Sequence, residues 1–202
     1  LHISLKEARQ PTARLQTHPN GDRAIMFRLY PEFEPDAEVP HTEVIFLLDC
    51  SGSMDGSSLS HAPRALELCL KTLSKGDRFN IVRFGTDFQD LFAESLEYNE
   101  HTLGKAVAYV REIKADLGGT EIYPALKHIF NMPQLKSHRR ELMVLTDGEV
   151  GNVNEVISLA QDHRNDTRIF SFGIGYGSSE SLVRGLARVP HGADEFISPD
   201  EQ

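Results

Sequence analysis

Tryptophan is absent from these 202 residues, and cysteine occurs only twice, at Cys50 and Cys69. A small secreted fold held together by disulfides normally carries more cysteine, so that class is disfavoured. Two lone thiols suit a reducing compartment, and a cytoplasmic location is the expectation, with an extracellular one as the alternative. No apolar run approaches the ~20 residues that a membrane-spanning helix needs. Basic residues are also scarce, 21 Lys and Arg against 30 Asp and Glu, for a net charge of −9. Nucleic acid and anionic membrane both demand concentrated positive charge, so neither is expected as a partner. A divalent cation suits so acidic a chain better. The nine histidines show no i, i+4 or H-x-H spacing, which argues against a histidine metal site. No secretory leader is visible. The sequence begins at Leu1 rather than Met, so a longer parent chain is expected.

Forty per cent of the residues are hydrophobic and 25% are charged, ordinary values for a globular chain of one large domain with an appendage. Residues 1–40 form that appendage. Leu1, Ile3 and Leu5 alternate with polar residues, and Ala24 to Tyr30 reads as a second strand. Pro19-Asn20-Gly21-Asp22 marks a turn between them. Pro31, Pro35 and Pro40 then interrupt an acidic linker. The expectation is a β-hairpin, or the trailing strands of a preceding domain.

From residue 42 to 202 strands and helices alternate. Val44–Leu48, Phe79–Phe84, Glu141–Thr146, Arg168–Gly173 and Glu195–Ile197 read as strands. Two of them, Val44–Leu48 and Glu141–Thr146, are continuously apolar or nearly so, as strands covered on both faces must be. Leu91–Leu96 reads as a short edge strand. Helical spacing predicts helices over Leu59–Leu73, Glu100–Leu117 with Asn99 as cap, a short stretch after Thr120, a stretch opened by the capping box Asn152-x-x-Glu155, and Ser181–Val189. This alternation predicts an α/β, doubly wound and mostly parallel sheet with helices on both faces. Ligands of such sheets bind at the carboxyl ends of strands, where the winding reverses.

Asp49-Cys50-Ser51-Gly52-Ser53 stands at such a strand end. If the backbone stays extended, Asp49, Ser51 and Ser53 point the same way. One carboxylate and two hydroxyls are hard oxygen donors, suited to Mg²⁺ rather than to zinc or copper. Two further segments add to the cluster. Leu117-Gly118-Gly119-Thr120 offers a third hydroxyl on a tight loop, and Thr146-Asp147-Gly148 offers a second carboxylate at another strand end. The candidate metal ligands are therefore Asp49, Ser51, Ser53, Thr120 and Asp147. Cys50 is expected to point away into packing, and Cys69 to lie on the apolar face of its helix.

D-x-S-G-S, G-G-T and T-D-G occur in that order, each at the end of an apolar or glycine-bearing segment. On these motifs, residues 42–202 resemble the von Willebrand factor A domain with its metal-ion-dependent adhesion site. Ala115–Ile122, Thr146–Val150 and Phe170–Gly175 resemble the group in which a VIT domain precedes the A domain, and Ala24–Pro31 resembles the stretch joining the two. The resemblance implies a Rossmann-like fold and a protein-interaction module rather than an enzyme. It implies Ser51 and Ser53 as direct ligands of Mg²⁺ (Mn²⁺ or Ca²⁺ being alternatives) and Thr120 as a direct ligand in the bound state. Asp49 and Asp147 would act through bound water. The partner would be a protein supplying an Asp or Glu carboxylate, or another domain of the same longer chain.

The same residues also suit blander roles. Ser51 and Ser53 suit turns, and Thr120 suits a helix cap. Glu121 and Glu149 read as solvated surface. Gly173-Ile174-Gly175-Tyr176-Gly177 has the wrong spacing for a dinucleotide fingerprint, and the resemblance implies a structural turn there. An Mg²⁺-dependent phosphohydrolase of the haloacid dehalogenase type would need D-x-D, and Ser51 stands where its second carboxylate belongs. No G-x-S-x-G elbow is present. A structural domain with a covered or vestigial site is the remaining alternative.

Overall fold

The structure, a computed structural model, describes residues 11–29, 41–147, 150–175, 177–189 and 191–198. The chain forms two compact units, Leu1–Val39 and Pro40–Gln202.

In the first unit, β1 (Thr12–Thr17) pairs antiparallel with β2 (Arg23–Arg28), Leu15 standing opposite Ile25. The Pro-Asn-Gly-Asp turn joins them, with Gly21 at φ 93° and its N–H donating to the His18 carbonyl. The second strand falls where its apolar pattern placed it. Its described partner is Thr12–Thr17, which the sequence pattern did not indicate; the strand proposed over Leu1–Leu5 and the 31–40 linker lie outside the described residues. Both described strands are exposed along their length, so no alternation of burial marks β1.

The second unit is a seven-stranded sheet between two helical layers. Its strands are β3 (His41–Asp49), β4 (Arg78–Phe84), β5 (Phe88–Asp90), β6 (Leu96–Glu97), β7 (His138–Thr146), β8 (Thr167–Ile174) and β9 (Ala193–Ile197). The order is β5-β4-β3-β7-β8-β9, and β6 pairs with β4. β3, β4, β7, β8 and β9 run parallel, while β5 and β6 are antiparallel to β4. The winding starts at β3, proceeds outward to β4 and then returns to β7 on its other side. The reversal therefore lies between β3 and β7.

Alternation along β3 assigns its residues to the two layers. Ile45 and Leu47 pack with Leu126 and Ile129 of α3 (Ile122–Asn131), Val156 of α4 (Val153–Asp162) and Leu186 of α5 (Glu180–Arg188). Val44, Phe46 and Leu48 pack with Leu66 and Leu70 of α1 (Ser57–Thr72) and Val110 of α2 (Glu100–Arg111). Burial on both sides is why β3 carries no polar residue from Val44 to Leu48.

Three local expectations are corrected. Residues 91–95 are not strand: the edge divides into β5 and β6, with Asn80 holding the intervening segment through bonds from its amide to the Phe92 carbonyl and from the Phe92 N–H to its Oδ1. α2 stops at Arg111 rather than running to Leu117, because the next residues bridge two loops with their backbone. Asn99 does cap it, in a capping box with Thr102. Asn152 precedes α4 without a side-chain cap bond; its carbonyl accepts instead from the Glu155 and Val156 N–H groups.

Candidate metal centre

The carboxyl ends of β3 and β7 are neighbours in the sheet, with Leu48 paired to Leu145. Asp49 closes β3 and Asp147 follows the last residue of β7, so two carboxylates flank the winding reversal. Ser51 is extended, at φ −67° and ψ 165°. The chain then tightens into a 3-10 turn over Gly52–Met54, with the Met54 N–H donating to the Ser51 carbonyl. Ser53 therefore reaches the cluster by this turn and not by the extended alternation expected for D-x-S-x-S.

Four of the five candidate residues join in one hydrogen-bonded run, through side chains and the Ser51 backbone N–H. Asp49 Oδ1 accepts from the Ser51 N–H at 2.9 Å, and Ser51 Oγ lies 3.0 Å from Ser53 Oγ. Ser53 Oγ donates to Asp147 Oδ1 at 2.9 Å. The fifth, Thr120, lies on the adjoining 118–121 loop, and no side-chain hydrogen bond joins it to the other four among the described residues.

That loop is fixed by backbone. The Gly52 N–H donates to the Gly118 carbonyl, and the Leu117 N–H donates to the Cys50 carbonyl. Thr86 grips the other side: its N–H donates to the Leu117 carbonyl, and its Oγ1 accepts from the Gly119 N–H at 2.9 Å. Gly118 sits at φ 78°, and a Cβ there would come within 2.8 Å of Thr86 Oγ1, so the position requires glycine on two counts. The motif reading assigned no role to Thr86, although its place just beyond β4, at another strand end of the same edge, was a usable signal. Thr146 was read only as part of T-D-G, yet its Oγ1 donates to Asp49 Oδ2 at 2.6 Å and orients that carboxylate.

Asp49 is fully buried. Burial holds its carboxyl above the ordinary 3.8, against the pull of bonds from Ser51 and Thr146, and the Asp147 charge pushes the same way. Asp147 is likewise raised, chiefly by burial. Neither carboxylate has an ion pair with Lys, Arg or His among the described residues. Two carboxylates thus converge in a partly dry site with no cation among the described residues to balance them, a costly arrangement for ionised groups. The donor set of two carboxylates and hydroxyls fits a hard divalent cation such as Mg²⁺. No group of three or more His, Cys, Asp or Glu suited to a metal occurs among the described residues, so any such site has to draw on hydroxyls.

Cys50 turns away from the cluster into the core, and burial pushes its thiol up to about 12. Cys69 is half-buried against the same core. In the G-x-G-x-G segment the Gly175 N–H donates to the Ile197 carbonyl, tying β8 to β9. Glu121 is exposed at the start of α3; Gly148 and Glu149 lie outside the described residues.

The family model of the von Willebrand factor type A domain matches residues 42–196. The chain belongs to that family. Human von Willebrand factor A domain-containing protein 5A is 40% identical over 192 residues, covering 90% of this chain and 24% of that protein. A von Willebrand factor A domain-containing protein of Dictyostelium discoideum is 36% identical over 203 residues, covering 98% of this chain and 22% of its own length. The chain thus spans under a quarter of either relative. Among solved structures, a von Willebrand factor type A protein from Catenulispora acidiphila superposes with a TM-score of 0.68 at 21% identity, over 78% of this chain and 38% of its own. Proximal thread matrix protein 1 of the mussel byssus, solved with a zinc-occupied MIDAS motif, gives 0.64 at 17% identity, over 79% of this chain and 41% of its own. These likenesses establish the fold, and domains of this family are generally protein-interaction modules.

Proposed function

We propose that the domain is a metal-dependent grip for an acidic side chain of a protein partner. The observation that carries this reading is the pair Asp49 and Asp147, linked through Ser51 and Ser53 at the winding reversal, with no basic side chain among the described residues in an ion pair with either. Ser51, Ser53 and Thr120 would offer oxygens directly to Mg²⁺, and Asp49 and Asp147 would hold it through water. The ion supplies a Lewis-acidic position that a carboxylate from outside can fill, since neutral hydroxyls leave its charge poorly compensated. Thr146 holds Asp49 in orientation, and Thr86 holds the loop bearing Thr120. That the mussel relative binds zinc in its MIDAS motif supports a metal at the same place in this fold; the oxygen donors here favour a harder ion.

Titration of the chain with Mn²⁺, followed by calorimetry, tests the metal. Wild type is expected to bind one ion, and Asp147→Ala to lose binding while keeping its unfolding midpoint in chelator. Capture of acidic peptides with and without chelator tests the grip. Equal metal binding by Asp147→Ala, or peptide capture indifferent to chelator, refutes the reading.

A further inference from the structure

A cavity of about 300 Å³ opens at the amino-terminal ends of β7 and β8, lined by Arg139, Arg164, Asp166, Thr167, Arg168 and His191 among others. Arg139 is the second residue of β7, whereas Asp147 follows its last. Eight residues at the rise of a parallel strand put about 26 Å between them, so the cavity is separate from the metal centre.

Its charge runs against that of the acidic chain. Arg168 shares its charge with Glu141 at 3.6 Å. Arg139 and Arg164 have neither an acidic partner nor a side-chain hydrogen bond among the described residues. Among the described residues of the lining, Asp166 is the one carboxylate.

The elements that carry these groups are held in place without any ligand. The Asp166 and Thr167 N–H groups both donate to the His163 carbonyl, at 3.1 and 3.0 Å, and the Gln134 amide donates to the Asp166 carbonyl at 3.0 Å. The His163 ring stacks on Phe130 at 4.3 Å, anchoring the loop of Arg164 to α3. His191 is held at φ 56°, in the left-handed region that non-glycine residues rarely adopt. The following Gly192 donates its N–H to the Ala187 carbonyl at 2.9 Å, and a Cβ there would lie 1.5 Å from the Ile169 carbonyl oxygen. The turn is therefore pressed against β8. Arg168 and Arg139 sit on paired strands, Arg140 standing opposite Thr167 and Glu141 opposite Arg168. The backbone bearing the unpaired charges is thus fixed in advance, which lowers the part of the ordering cost of binding that falls on the main chain.

We propose that this cavity binds a dianionic phosphate group, either the free ion or a monoester. Two guanidinium groups without partners match its two charges, and planar forks of N–H donors suit tetrahedral oxyanions. Arg168 and His191 line the same cavity. The volume lies at the lower end of the ~300–1,000 Å³ range of ligand sites, room for a phosphate and the stem that bears it. Asp166 opposes the anion and sets a ceiling on affinity.

The test is calorimetric titration of the 202-residue chain in EDTA, which keeps cations, and anions bridged by them, from the metal centre. The probes are inorganic phosphate, a short phosphoserine peptide, and the same peptide with glutamate in place of phosphoserine. The phosphoserine peptide is expected to bind. Arg139→Gln with Arg164→Gln weakens it at least about tenfold, as loss of charge-assisted bonds should; Asp166→Asn tightens it several-fold, and Arg64→Gln, an exposed arginine on α1, leaves it unchanged. A peptide bound more tightly than inorganic phosphate identifies a phosphorylated segment as the ligand; equal binding identifies the free ion. Either result supports the site. No binding, equal affinity for the glutamate peptide, or full affinity in the double variant overturns it. Asp166→Asn deletes no positive charge, so its gain of affinity stands as an independent check if the double variant folds poorly.

Discussion

Replacing Arg140 by methionine is predicted to cost more stability than any single change at the metal centre. Its side chain and that of Glu43 are each 3% exposed, and its Nε donates to Glu43 Oε2 at 2.8 Å. The remaining nitrogens donate to the carbonyls of Ile129, Met132 and Pro133 at 3.0, 3.3 and 2.9 Å. The guanidinium thus neutralises a buried carboxylate on β3 and closes the carboxyl end of α3. Removing it strands Glu43, a loss of about 3–5 kcal/mol for a buried charge without its partner. The α3 carbonyls add roughly 1 kcal/mol where water replaces their donors poorly. For a domain of this size each kcal/mol moves the midpoint by about 2–4 °C, so a drop of roughly 10–20 °C is expected. Most of the loss belongs to the charge, so Glu43→Gln in the same background should recover about 2–3 kcal/mol, the amide being far cheaper to bury than the ion. Thermal unfolding followed by circular dichroism reads both variants. A single variant within about 1 kcal/mol of wild type, or a double variant no better than the single, would show that the pair is not the electrostatic unit described; the figures rest on the burial of both partners.

Two further predictions concern the metal centre. Asp49 has a folded-state pKa above the ordinary 3.8, so its favourable contribution is present below that value and is lost as pH rises through the raised one. In chelator, Asp49→Asn should therefore gain stability relative to wild type as pH climbs from about 4 towards neutrality, while losing all stabilisation by Mg²⁺; paired unfolding curves across pH check it, and a gap that shrinks with pH contradicts it. Thr86→Val removes the acceptor for the Gly119 N–H and should weaken Mn²⁺ binding by about 10–100-fold, as loss of an outer support does, at a stability cost near 1 kcal/mol. Unchanged Mn²⁺ affinity would show that the 118–121 loop does not help hold the ion.

Much of the sheet was legible because its central strands are buried on both faces. Val44–Leu48 and Leu142–Leu145 can be little else than strand at that length and apolarity. The positions of Asp49 and Asp147 were legible for the same reason, since each simply follows such a run. The route of Ser53 was not, because the 3-10 turn is fixed by a bond from Gly52 to Gly118, more than sixty residues away in sequence. The early end of α2 has the same cause: Ile113 and Leu117 keep helical spacing, but the Leu117 backbone is committed to Cys50 and Thr86. Long-range backbone bonds leave no local pattern, and the loops around the site are built from them.

Cys50 carries a practical consequence. Its sulfur is inert while the strand end stays packed, with the neighbouring N–H and carbonyl committed to Phe84 and Leu117. Alkylation at that sulfur, in a chain with Cys69 replaced by serine, would then act as a stopwatch for unlatching of the D-x-S-x-S segment. Comparing the labelling rate with and without divalent ions would reveal whether occupancy locks the latch, using a thiol on the residue next in sequence to Asp49.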